Sequence, residues 1–196
     1  NDREMIEQIR SGTLDMYQGT TAILSQYAKE FMVLDFPFLW PNSEVQNEVL
    51  DSEFGHWLGR TVPTEKELGF EVLNFWAAGF RQLTTNKRPV STPTDLEGLK
   101  IRLMENPIHL ATFEALGANT ATVPFGELYS ALQQGVVDGQ ENPIPIIYAM
   151  RFYEVQEYIN ITRHLNTPLC LVVSTKTWEK LSPEQIGNLS DKLIKR

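Results

Sequence analysis

Apolar residues recur along this chain with two spacings, and the switching between them sets the expected architecture. Met5, Ile6 and Ile9 fall on one side of a helical repeat and predict a helix over residues 2–11. Residues 13–17 read as a short strand, and a short helix follows the Thr20-Thr21 pair. Ser43 with Gln46 makes a capping-box start for a helix to about Leu58. Phe70–Trp76 and residues 80–85 are rich in aromatic and β-branched side chains and read as strands. Residues 86–98, with Pro89, Pro93 and a Ser/Thr cluster, form a loop. A strand over 99–103 and helices at about 107–116 and 126–134 follow. Val136-Val137 opens another strand, Ile146, Ile147 and Met150 mark a helix, and Leu169–Ser174 reads as a strand. Ser182-Pro183-Glu184-Gln185 is a helix start with proline at the first helical position. This βα alternation predicts an α/β fold with mostly parallel strands.

Composition narrows the function. The chain has 196 residues, 42% hydrophobic and 21% charged, which suits a globular protein able to bury a sizeable core. Its formal net charge of -8 argues against a nucleic-acid partner, which needs a basic surface. A small anionic ligand stays open, because one buried arginine acts locally. The only cysteine, Cys170, leaves no internal disulfide and no Cys-based metal site. No apolar run reaches the roughly 18 residues of a membrane span. Both ends open or stop in helix-like sequence, which reads as an internal piece of a longer chain.

The densest chemistry lies between Leu99 and Pro143. Leu99, Ile101 and Leu103 share one face of a strand, with Lys100 and Arg102 on the other. Asn106 is a good N-cap, Pro107 a good first helical residue and Gly117 a good stop. Arg102 therefore stands where a strand gives way to a helix N-terminus, the edge at which open α/β sheets bind ligands. An arginine there can hold a carboxylate through two parallel hydrogen bonds. The alternative is a surface arginine paired with an acid such as Glu105. Asn142 stands at a second strand-to-helix junction, and its amide can donate to a carboxylate or hydroxyl. Its alternative is a turn or N-cap residue.

Other residues point less clearly to chemistry. His56, His109 and His164 show no metal-ligand spacing, so surface or core roles are expected, with His164 placed to hydrogen-bond behind a pocket. Glu127 and Glu141 could suggest acid-base work, yet an acid in a first helical turn, as at Glu127, is expected anyway. Phe125, Leu128 and Leu132 form a helix packing stripe. Gly135 and Gly139 are not followed by the Lys-Ser/Thr of a phosphate loop, and no nucleophile elbow is present. No cofactor and no metal are expected.

The motifs Gly98-Leu99-Lys100-Ile101-Arg102, Pro124-Phe125-Gly126-Glu127-Leu128 and Val137-Asp138-Gly139-Gln140-Glu141-Asn142-Pro143 stand in order. Gly79-Phe80-Arg81-Gln82 precedes them and Thr162-Arg163-His164 follows. With Asp35-Phe36-Pro37-Phe38-Leu39, this set closely resembles the solute-receptor subunits of tripartite ATP-independent periplasmic (TRAP) transporters, dicarboxylate-receptor type, over essentially the whole chain. The resemblance implies a two-lobed α/β fold with a hinge, residues 1–78 and about 168–196 forming one lobe and about 79–167 the other. It implies that Arg102 makes the bidentate salt bridge to a ligand carboxylate. Arg81 supplies further polar contact, Asn142 donates a hydrogen bond, and Phe125 packs on the ligand. Thr20, Thr21 and Trp76 are expected to border the distal pocket, with lobe core as the other reading of Trp76.

The implied function is a periplasmic receptor, not an enzyme. It binds an organic acid, a C4-dicarboxylate or a sugar acid, and delivers it to integral-membrane TRAP subunits. The alternatives are an enzyme acting on a hydroxy acid, with Arg102 as anchor, or a ligand-sensing domain of the same fold.

Overall fold

The computed structural model describes residues 1–194. Helix α1 (Asp2–Ser11) opens on a capping box made by Asn1 and Glu4, and buries Ile6 and Ile9. Strand β1 (Met16–Thr20) follows, then two 3-10 turns, Thr21–Gln26 and Lys29–Asp35. Next come α2 (Ser43–Leu50), α3 (Glu53–His56), a π turn (Trp57–Thr61) and α4 (Val62–Glu65). Strands β2 (Phe70–Trp76), β3 (Arg81–Thr85) and β4 (Lys100–Leu103) lead to α5 (Pro107–Ala115). Strand β5 (Asn119–Thr122), α6 (Leu128–Gln133), β6 (Gly139–Pro143) and α7 (Ile144–Ala149) come next. The chain continues through β7 (Tyr158–Leu165), β8 (Leu169–Ser174), α8 (Thr175–Trp178) and α9 (Pro183–Ile194).

Two sheets result. One has the order β1-β8-β2 and the other β5-β4-β6-β3-β7. The expectation of mostly parallel strands is wrong. The three-stranded sheet is wholly antiparallel, and β3 pairs antiparallel with both β6 and β7. Only the pairings of β4 with β5 and β6 are parallel. The physical reason lies in the crossings. Only β4, β5 and β6 are joined in sequence through helices, α5 and α6, that supply the crossover a parallel return requires; segments 77–80 and 166–168 instead carry the chain from one sheet to the other. Strands β1, β2 and β8 come from before residue 77 and after residue 168. Strands β3 to β7 come from between them. Of the expected first-lobe range, Lys195 and Arg196 lie outside the described residues.

Local departures have identifiable causes. The expected strand over 13–17 begins at Met16, because Gly12 at φ 77 and the Thr13 and Leu14 amides close α1 onto the Gln8 carbonyl. The helix expected from Ser43 to Leu58 is capped one residue earlier, where Asn42 accepts the Val45 amide at 2.8 Å. It stops at Leu50, and Ser52 caps a fresh turn through the Phe54 amide. Val136-Val137 is a bend, and the strand starts at Gly139. Strand β7 is absent from the apolar pattern because it is inverted: Ile159 and Ile161 face solvent while Asn160 is buried. Asn160 accepts the Val90 amide at 2.7 Å and donates to the Leu83 carbonyl at 3.2 Å, so a polar side chain closes the loop over the sheet. The helix start at Ser182 is as expected, with Ser182 and Gln185 capping each other.

Three apolar clusters hold these layers. Ile6, Ile9, Phe31, Phe70 and Val172 pack with Cys170 under the small sheet. Leu83, Ile101, Leu103 and Phe113 pack beneath β4, and Leu128, Leu132, Ile147 and Phe152 pack beside α6.

Candidate functional site

Arg102 occupies β4, an interior strand of the larger sheet, between Ala121 of β5 and Gln140 of β6. Its neighbours Ile101 and Leu103 point into the core, which turns Arg102 to the opposite face near the strand's C-terminal end. The loop after β5 folds over it. Arg102 Nε and Nη2 donate to the Val123 carbonyl at 2.9 and 2.7 Å. The side chain is nearly sequestered from water, with Arg102 4% exposed. Among the described residues it makes no ion pair, and nothing bonds its Nη1. The pairing with Glu105 considered from the sequence does not occur. Burial pushes the guanidinium down to about 10, with the Glu141 carboxylate pulling the other way and Arg81 adding to the fall. Arg102 therefore stays a cation at neutral pH, buried without an anion.

That cation lines a cavity of about 620 Å³. Its walls come from two separate stretches of the chain. Asn1, Asp2 and Arg3 at the start of α1 and Thr20 after β1 form one side. Arg102, Glu105, Val123 and Phe125, at the ends of β4 and β5, form the other. Phe125 is held edge-on against Phe152 at 6.2 Å, so its ring is fixed while one side remains free for a guest. Thr20 Oγ1 accepts the Ala22 amide at 3.3 Å, which leaves its hydroxyl proton to donate.

The other expected site residues lie outside that lining. Arg81 begins β3 and reaches diagonally to Glu141 of β6. Its Nη2 donates to Glu141 Oε1 at 2.8 Å and to the Glu141 carbonyl at 2.7 Å, and its Nε meets Glu141 Oε2. The same Nη2 reaches Asn142 Oδ1 at 3.2 Å, and Asn142 Nδ2 donates to Gln140 Oε1. His164 Nε2 stands 3.3 Å from Glu141 Oε2, and its Nδ1 lies 2.7 Å from Thr162 Oγ1. Burial alone would raise the Glu141 carboxyl. The charge of Arg81 and the hydrogen bonds of His164 and Arg81 outweigh it and hold the group well below the usual carboxylate range. Thr21 is buried and bonds the Pro168 carbonyl at 3.2 Å. Trp76 closes β2 opposite Leu169 and is half-buried.

Sequence reasoning considered Glu141 only for acid-base work and missed it as the counterion of Arg81. It also missed a buried bridge beside the cavity. Asn106 Nδ2 donates to Asp35 Oδ2 at 2.8 Å, to Ser25 Oγ at 3.1 Å and to the Ala22 carbonyl at 3.2 Å. His109 Nε2 lies 3.1 Å from Asp35 Oδ1. Gln26 Nε2 donates to the Glu105 carbonyl at 2.9 Å. These bonds join the turns after β1 to the start of α5. The only signal was Asn106 itself, whose Oδ1 does cap α5 while its amide does this second job.

Among the described residues no helix is long and apolar enough to cross a membrane. Residues 1–193 match the family described as bacterial extracellular solute-binding protein, family 7. The chain is 33% identical over 204 residues to the 2,3-diketo-L-gulonate-binding periplasmic protein YiaO of Escherichia coli, covering 99% of this chain and 61% of that one. Among solved structures, a TRAP periplasmic solute binding protein from Polaromonas sp. JS666 bound to D-erythronate superposes with a TM-score of 0.93 at 37% identity, over 98% of this chain and 63% of that one. A TRAP periplasmic solute binding protein from Sulfurospirillum deleyianum with bound succinate gives 0.91 at 33%, over 98% and 61%. The chain thus spans about three fifths of the length of each of these proteins, and it belongs to the bacterial extracellular solute-binding protein family 7.

Proposed function

We propose that this chain is the ligand-holding part of a periplasmic receptor that captures an organic acid and hands it to the membrane subunits of a TRAP transporter. The carrying observation is Arg102, a buried guanidinium without an ionic partner, in the wall of a cavity. Such a charge is costly unless an anion joins it, so a ligand carboxylate completes the site. The relatives named for organic acids support the same chemistry. The receptor binds and does not transform its ligand. Glu141 and His164, the acid-base pair nearest to hand, are buried and engaged with Arg81, Thr162 and each other, away from the cavity lining.

The proposed lobes are residues 1–78 with 168–196, and 79–167. The second carries Arg102 and Phe125 and receives the acid first; Thr20 on the first closes over it. Differential contacts of this kind are what shift an open-closed equilibrium. Arg81 and Asn142 act from behind, by fixing β3 against β6, the neighbour of β4. The test is a melting-shift screen of the full-length protein against an organic-acid library, with turnover followed in parallel. Hits that stabilise the parent, leave Arg102→Met unmoved and are recovered unchanged support the reading. Stabilisation that survives in Arg102→Met, or consumption of a bound acid in proportion to protein, overturns it.

A further inference from the structure

Ala22, Ser25, Gln26 and Asp35 fall in the range proposed as the first lobe, and Glu105, Asn106 and His109 in the second. The buried bridge beside the cavity therefore crosses from lobe to lobe. Asp35, Asn106 and His109 are fully enclosed, and Ser25 nearly so. Asn106 Nδ2 reaches Asp35 Oδ2 at 2.8 Å, Ser25 Oγ at 3.1 Å and the Ala22 carbonyl at 3.2 Å, while His109 Nε2 meets the other Asp35 oxygen at 3.1 Å. At the rim, exposed Gln26 holds the Glu105 carbonyl at 2.9 Å. The residues these bonds fix are walls of the cavity. Ala22 and Ile23 line it from the first lobe. Met104 and Glu105, which connect the strand of Arg102 to Asn106, line it from the second.

We propose that Asp35 and Asn106 are positioning residues for capture: they form an interlobe latch that belongs to the closed state and raises affinity for any acid without touching it. This rests on the two-lobed reading above. Asn106 has two separable duties. Its Oδ1 accepts the Ile108 and His109 amides and caps α5 from within one lobe, so that bond is kept whether the lobes are open or closed. Its Nδ2 bonds only groups of the other lobe and is satisfied by them only on closure. The latch is polar, which suits a reversible contact. Water replaces each bond on opening, so each contributes modestly, whereas an apolar seam would hold the lobes shut. Because apparent affinity scales with the population of the binding-competent state, a bond that favours closure tightens every ligand by one factor.

The experiment is calorimetric titration of the full-length protein, freed of bound ligand, with D-erythronate, D-gluconate, succinate and L-malate, alongside small-angle scattering and urea denaturation. Asn106→Asp keeps an oxygen for the cap but removes the Nδ2 donor and sets two carboxyl groups against each other. It should weaken every acid that the parent binds by the same factor, at least about tenfold. Adding Asp35→Asn restores a donor and acceptor with their roles exchanged, and should recover most of that loss, as a coupled pair does. Gln26→Ala, at the exposed rim, should cost about threefold and leave the urea midpoint unmoved. A folded Asn106→Asp with parental affinity overturns the latch, even where its urea midpoint falls, because the bridge is then structural alone. So does a double variant no tighter than Asn106→Asp, or a loss confined to some of the acids. Where Asn106→Asp does not fold, Gln26→Ala at parental affinity overturns it. Failure of the readings beneath it is distinguishable. A parent that does not contract on saturation refutes the two lobes and the latch together, and a parent that binds none of the four acids contradicts the receptor reading itself.

Discussion

Arg102→Met should weaken capture strongly while leaving the empty protein about as stable as its parent. The guanidinium falls from its ordinary 12.5 to about 10, mainly through burial. That displacement of about 2.5 pH units, at about 1.36 kcal/mol each, makes the charge cost about 3 kcal/mol in the empty site. The sign follows from linkage. A cation whose folded pKa lies below its unfolded value destabilises the fold at every pH below the folded value, so the cost is constant across neutral pH. Methionine removes that cost and keeps most of the side chain's bulk. Against this, the Val123 carbonyl loses both of its guanidinium donors, worth about 1–3 kcal/mol. The two terms nearly cancel, so the variant should lie within about 2 kcal/mol of the parent. Arg81→Met should behave in the opposite way. It strands Glu141, fully buried, without its counterion, which costs about 3–5 kcal/mol.

Urea denaturation of the full-length ligand-free protein reads stability, and calorimetric titration reads binding. Loss of a charge-assisted pair to the ligand, about 2–5 kcal/mol, means Kd weakens at least about thirtyfold in Arg102→Met. Arg102→Lys should recover little of it, because lysine lacks the planar fork. The reasoning fails if Arg102→Met loses as much stability as Arg81→Met. It also fails if any Arg102 variant keeps Kd within threefold of the parent.

Three other outcomes are expected. The Glu141 carboxyl lies below its ordinary 4.5, so its stabilisation is complete above that pH and drains away below it; the urea midpoint should fall through that window, and Glu141→Gln should flatten this acid limb while costing about 3–5 kcal/mol at pH 7. Gly139→Ala drives a methyl into the Thr84 carbonyl across the β3–β6 pairing, and should destabilise by about 1–3 kcal/mol in the same assay; an unchanged midpoint would contradict that packing. Small-angle scattering of the full-length protein should show a smaller radius of gyration with ligand than without, and an unchanged curve at saturation would rule out closure.

Local chemistry was the legible part of this sequence. Phe70–Trp76 and Leu169–Ser174 match their strands residue for residue, because β-branched and aromatic runs bounded by turns leave little choice. The ends of α5 could be read from Asn106, Pro107 and Gly117, since caps act within a few residues. Alternation across 99–103 was enough to place Arg102 on the non-core face at a strand end. Pairing direction was not legible, because it depends on how short crossings at 77–80 and 166–168 turn the chain between sheets. Nor was β7, whose isoleucines face outward. The difference between the two arginines was hidden for the same reason. Glu141, which neutralises Arg81, lies sixty residues away, and only the β3–β6 register brings the pair together.

That pairing explains how two arginines near one site can do different work. Arg81 and Glu141 cancel each other almost where they stand, so Arg81 adds little net field at the cavity. At Arg102 the two act in opposite senses, Glu141 favouring its charged form and Arg81 opposing it, with Glu141 the stronger. The pair therefore leans Arg102 toward its charged form without supplying the contact that would satisfy it. A carboxylate on Arg102 itself would make a more stable empty protein and a poorer receptor, because the ligand would have to displace it. Val123 offers a compromise. A neutral carbonyl fixes the orientation of the guanidinium through Nε and Nη2 and leaves Nη1 and the full charge for the guest. The roughly 3 kcal/mol of burial cost carried by the empty site is then relieved when the ligand's carboxylate arrives, which makes affinity depend on the one group that every candidate acid shares.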